Sequence, residues 1–180
     1  MKYGKTIICL AGISFLTMPL LARHNDGHGR PERDFRAELR GRNEVPLTLS
    51  AGRGSLSLTV NDTDTSVHFV LEYSGLQTAV GAAHIHVGQP NVNGGVTVFF
   101  CGGGGRPACP QQQGTVEGDF TANDVIGLTA QQLEVNNLAK VLAAIRAGKT
   151  YANVHTMTSP GGEIRGQIHD DDKDKDKKDR

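Results

Sequence analysis

The chain contains many short stretches in which apolar and polar residues alternate one by one. Phe35, Ala37 and Leu39 alternate with Arg36, Glu38 and Arg40. Leu56, Leu58 and Val60 alternate with Ser55, Ser57 and Thr59, ahead of a turn at Asn61-Asp62. Val67, Phe69, Leu71 and Tyr73 form the next row, followed by Ile85 and Val87, the run from Val96 to Phe100, Val154 with its neighbours, and Ile164 with Ile168. Period two is the pattern of a strand with one buried face. This many strands predicts a mainly β fold, an antiparallel sandwich or barrel, with strands over most of 35–100 and 150–169.

One stretch changes period. Leu138, Val141, Leu142 and Ile145 recur at helical spacing, Thr129 and Gln132 have the form of a capping box, and Gly148 stands where a C′ residue belongs. The pattern predicts one helix at about 130–147, packed at an end of the β-structure, with a further short turn starting over 121–124.

The two ends of the chain follow neither pattern. Lys2 and Lys5 precede a compact apolar run from Thr6 to Leu16, then Pro19, Ala22 and polar Arg23-His24-Asn25-Asp26. Residues 1–22 therefore read as a secretory signal, short for a membrane crossing, with a retained membrane anchor as the alternative. Residues 23–34 read as a flexible polar lead-in containing His24 and His28, and 170–180 as a mixed-charge, disordered tail. One folded domain is left between them, about 35–169.

Composition narrows the function. Of 180 residues, 23 are glycine, as Gly-rich turns between strands require, and the zero formal net charge argues against a nucleic-acid partner. Aromatic content of 5% supplies no stripe that marks a protein interface. Removal of a signal leaves Cys101 and Cys109, flanking a Gly-rich segment, in an oxidising compartment. They read as a disulfide, with a thiolate metal site as the alternative.

Parity nominates one face for chemistry. If Ile85 and Val87 point inward, His84 and His86 both point outward, roughly 7 Å apart along the strand. Putting Val154 inside places Asn153 and His155 outside, and inward Ile164 and Ile168 leave Glu163, Arg165 and Gln167 outside. Three neutral imidazoles, His84, His86 and His155, suit copper or zinc with an open fourth position. Asn153, Glu163 and Arg165 are candidates to orient them. The alternative is a set of histidines hydrogen-bonded across a sheet. His68 has outward parity on another strand and reads as a surface residue. Glu44, ahead of Val45-Pro46, reads as a strand-end carboxylate. No catalytic triad, phosphate-cradling loop or paired-carboxylate motif stands out.

Five blocks occur in order: Asn43-Glu44-Val45-Pro46; Ala83-His84-Ile85-His86; Gly94-Gly95-Val96 to Cys101-Gly102; Tyr151-Ala152-Asn153-Val154-His155-Thr156; and Gly162-Glu163-Ile164-Arg165-Gly166-Gln167. Together they resemble the signature of the CHRD domain family, the module first described in chordin, in a secreted bacterial-type form. The resemblance covers about 37–168 and implies an immunoglobulin-like β-barrel related to that of the copper/zinc superoxide dismutases. Gly81-Ala82-Ala83-His84-Ile85-His86 is similar to the paired copper-histidine strand of those enzymes, and Val154-His155 to their late copper-histidine strand. Their bridging histidine and zinc-binding loop have no equivalent here, which argues against complete dismutase chemistry. The expectation is a non-enzymatic, secreted or periplasmic binding or structural domain with a candidate copper or zinc site at His84, His86 and His155. The rival readings are a copper-dependent redox enzyme and an envelope or matrix module whose partner is another extracellular protein.

Overall fold

The computed structural model describes residues 33–171. The expected signal at 1–22, His24, His28 and the segment beyond 171 lie outside the described residues. Nine strands form: β1 (Asp34–Arg40), β2 (Arg53–Val60), β3 (Ser66–Ser74), β4 (Val80–Val87), β5 (Gly95–Cys101), β6 (Gly114–Thr121), β7 (Thr150–Thr156), β8 (Ile164–Gln167) and β9 (His169–Asp170). Eight of them make one antiparallel sheet in the order β5-β4-β7-β8-β1-β2-β3-β6, and β9 pairs with β1. The outer strands of that sheet, β5 and β6, come together without pairing, so the sheet is a nearly closed barrel. Ile126, just past β6, donates its backbone N–H to the Thr97 carbonyl of β5 at 2.8 Å and helps close the gap.

The alternating rows line the interior as expected. Phe35, Ala37, Leu39, Leu56, Leu58, Val60, Val67, Phe69, Leu71 and Tyr73 are all buried in one core cluster. Each large apolar side chain so buried contributes roughly 1.5–3 kcal/mol relative to exposure. β6 is a strand the alternation does not predict. Its inward positions are Val116, Gly118 and Phe120, only two of them apolar, and Thr115, Glu117 and Asp119 alternate with them. β9 carries the sheet to Asp170, one residue past the expected end of the domain, and Asp171 pairs with Arg36 at 2.8 Å.

The helix is shorter than expected. α1 spans Leu138–Arg146, and its buried residues are the predicted stripe of Leu138, Val141, Leu142 and Ile145. The capping box at Thr129 and Gln132 does not form. Residues 129–131 make a single 3-10 turn, and Gln132 and Asn136 both take left-handed backbone (φ 55° and 62°), which stops a helix from propagating. Asn137 is the true N-cap, its side chain accepting from the Lys140 N–H at 3.0 Å. At the other end Gly148 does take φ 64°. Its N–H reaches Ile145 O (2.9 Å) while the Lys149 N–H reaches Ala144 O (2.8 Å), a complete Schellman closure. Residues 122–124 form the short 3-10 turn expected there.

Cys101 and Cys109 form a disulfide, with Cα atoms 5.0 Å apart. No helix among the described residues is long and apolar enough to cross a membrane.

Candidate metal centre

β4 runs between β5 and β7, and its register sets His84 opposite Asn153, His86 opposite Tyr151 and Ala82 opposite His155. Ala83 and Ile85 point into the core with Ala152 and Val154, so the three histidines share the outer face, as parity predicted. Ring centroids are 4.4 Å apart for His84 and His155, 4.7 Å for His84 and His86, and 5.8 Å for His86 and His155. One nitrogen from each ring lies within 4.8 Å of the other two. Ligands on a tetrahedral ion at about 2.0–2.1 Å stand roughly 3.3 Å apart, so a modest approach of the rings completes the set.

At the β4 histidines the outer face is covered from water, which alternation alone does not reveal. His84 and His86 are only 6% and 7% exposed. Phe99 of β5 meets the His84 ring edge-on at 4.9 Å, and Tyr151 of β7 stacks on His86. Burial therefore pushes the His84 pKa down to about 2, with the neighbouring His155 and His86 adding to it. Burial also takes His86 down to about 4, against the Gly94 hydrogen bond that raises it, and lowers His155. All three rings are neutral near pH 7, the form that ligates metal.

Backbone carbonyls fix two of the tautomers. His86 Nδ1 donates to Gly94 O at 2.9 Å and His155 Nδ1 to Pro160 O at 3.0 Å. A carbonyl only accepts, so these nitrogens carry the protons, and each Nε2 keeps a lone pair. His86 Nε2, His155 Nε2 and His84 Nδ1 are buried and have no hydrogen-bond partner among the described residues. Three unsatisfied buried nitrogens on neighbouring rings are costly unless something binds them.

The loop between β4 and β5 roofs this face, and Arg165 of β8 holds it there. Its guanidinium lies 3.4 Å from the Tyr151 ring centroid and donates to Val92 O (2.9 Å), Gln89 O (3.3 Å) and Asn93 Oδ1 (3.3 Å). Gly94 in the same loop donates its N–H to the Tyr151 hydroxyl at 3.1 Å. A Cβ on Gly94 would fall 1.8 Å from the Val87 carbonyl oxygen, so only glycine allows this approach. Arg165 is thus outward in parity but nearly fully buried, and it positions the loop that accepts the His86 proton.

Asn153 and Glu163 do not contact the histidine nitrogens. Asn153 Nδ2 donates to Glu44 Oε2 at 3.4 Å, while Asn153 Oδ1 and Glu44 Oε1 are buried without partners. Burial raises the Glu44 pKa to about 7, although Arg165 and Asn153 both act to lower it. Glu163, expected beside the histidines, is fully buried and accepts from Ser50 Oγ (2.6 Å), the Gln77 N–H (3.0 Å) and Thr156 Oγ1 (2.6 Å). Its carboxylate ties loops to β7 and orients no imidazole. His68 lies on the surface of β3 beside Glu117 and Asp119, away from this face. Tyr151 and Gly94 are the site residues that sequence reasoning missed. Tyr151 shares the parity of His155, a signal that was present, whereas the role of Gly94 depends on a cross-strand approach.

The three histidines border a recess of about 560 Å³ lined also by Gly81, Ala82, Val96, Phe99, Met157 and Pro160. The sequence blocks containing Glu44, His84 and His86, Gly94, Asn153 and His155, and Arg165 meet around this one face. No curated protein matches the chain. The family model of the CHRD domain matches residues 35–168, and the chain belongs to the CHRD domain family.

Proposed function

We propose that this chain is an extracytoplasmic binding domain that holds one transition-metal ion, copper or zinc, through His84, His86 and His155. The observation that carries the reading is the set of three buried, partnerless nitrogens, two of them held as lone-pair donors by Nδ1–H bonds to carbonyls. Imidazoles whose second nitrogen is anchored to a carbonyl are the usual form of histidine ligation. The disulfide fits a compartment outside the cytoplasm.

A redox reading has one observation in its favour. A recess bordered by the three histidines adjoins the site, through which a small oxygen species could approach a bound copper. Titration of Cu²⁺ and Zn²⁺ into wild type and a His84→Ala/His155→Ala variant tests the binding. One ion per chain, lost in the variant, is expected, and equal affinity in both proteins would leave only a hydrogen-bonded cluster. Superoxide turnover by the copper-loaded wild type would separate the redox enzyme from the binding domain.

A further inference from the structure

We infer that the centre is built for cuprous ion and that the Met157 thioether is its fourth donor. This rests on the metal reading above. Met157 stands one residue past the end of β7 and two residues after His155. It borders the same recess as the three histidines. Its backbone is fixed there by an N–H bond to Ala79 O at 3.1 Å, while its side chain is 73% exposed. A long apolar side chain gains little by standing in water. Its three rotatable bonds let the sulfur swing over the opening, and sulfur is a soft donor that selects monovalent copper.

The surroundings favour a single positive charge. The recess walls of Val96, Phe99 and Pro160 are apolar, and the histidines themselves are largely buried. The cost of desolvating an ion rises with the square of its charge, so such walls penalise a divalent ion far more than a monovalent one. Among the described residues no carboxylate joins the histidine cluster to offset a second charge, and Glu163 is bonded to Ser50, Gln77 and Thr156. Arg165 adds a positive field that reaches His86. Three neutral imidazoles and a thioether form an uncharged donor set, and cuprous ion suits it.

The test is anaerobic competition for Cu(I) against a chromophoric Cu(I) chelator, with ascorbate as reductant because it leaves the disulfide intact. Wild type and Met157→Leu are compared, and Zn²⁺ competition is run in parallel. The inference expects Cu(I) affinity to fall at least about tenfold in the variant, the scale on which changes around a metal move affinity, with Zn²⁺ affinity nearly unchanged. X-ray absorption of the cuprous form should show a sulfur scatterer in wild type and none in Met157→Leu. Unchanged Cu(I) affinity with both ions still bound would overturn the role of Met157 and leave the three-histidine site standing. Absence of both ions from wild type would remove the site and this inference together. An unchanged urea midpoint in Met157→Leu confirms that the exposed substitution leaves the fold alone.

Discussion

The Tyr151 ring lies flat against His86, with centroids 4.6 Å apart and planes 4° from parallel. The two residues are also joined through Gly94, which donates its N–H to the Tyr151 hydroxyl and accepts the His86 Nδ1 proton. Tyr151 therefore sets the ring plane of a candidate ligand and helps hold the Gly94 carbonyl that fixes its tautomer. Tyr151→Leu should weaken metal binding by about 10–100-fold, the usual range for loss of an orienting neighbour. Tyr151→Phe keeps the stack and should cost about 1 kcal/mol of stability with a smaller loss of affinity. Metal competition and urea unfolding of both variants measure the two effects.

The metal-free protein should be acid-sensitive through its histidines. The folded pKa values of His84 and His86 are depressed to about 2 and about 4 from 6.5. Below pH 6.5 the unfolded chain takes up protons that the folded state refuses. The stability these rings contribute is therefore present above pH 6.5 and is lost as pH falls toward 4. A His84→Gln/His86→Gln variant should show a flatter stability profile between pH 6.5 and 4 in urea unfolding. An equally steep profile would mean that other groups cause the acid sensitivity.

Glu44 acts with the opposite sign. Its folded pKa is raised from 4.5 to about 7, so its contribution is fully present below pH 4.5 and is lost as pH rises through 7. Glu44→Gln keeps the shape and removes the charge. Relative to wild type, its unfolding midpoint should improve between pH 5 and pH 8. A difference that does not change with pH would show that the carboxyl is not the titrating group.

The Cys101–Cys109 disulfide closes a loop of sequence separation 8. Replacing both cysteines by serine should lower stability by about 2.5 kcal/mol if the chain-entropy description holds. Equilibrium unfolding of oxidised wild type against the double variant provides the number.

The start of α1 supplies a paired test. Asn137→Ala should cost about 1 kcal/mol, because it removes the acceptor for the Lys140 N–H. Thr129→Ala should cost much less, since Thr129 caps no α-helix here. Thermal unfolding of both variants distinguishes the observed helix start from the one the capping-box pattern predicts.

The pattern of the chain by itself determined the barrel's inner lining and the shared face of His84, His86 and His155. Side-chain direction along a strand depends only on odd and even position, and the turn and Gly-rich signals are equally local. The disulfide was legible for a related reason, since a short Gly-rich segment joins the two cysteines. What the sequence misplaced were features that depend on distant contacts. The helix start moved to Asn137 because left-handed Gln132 and Asn136 interrupt the segment before it. β6 forms with little apolar signal of its own because β3 supplies its hydrogen-bond partners. Only the tertiary structure decided that the outer face is roofed. The loop carrying Val92, Asn93 and Gly94 folds over it, held by Arg165 and Tyr151 from strands far along the chain. Phe99 against His84, and Tyr151 with Gly94 against His86, turn outward-pointing histidines into buried neutral ones, while Glu163 is bonded to Ser50, Gln77 and Thr156. Periodicity records which way a side chain leaves its own strand, whereas the surroundings it enters depend on residues brought there by the fold.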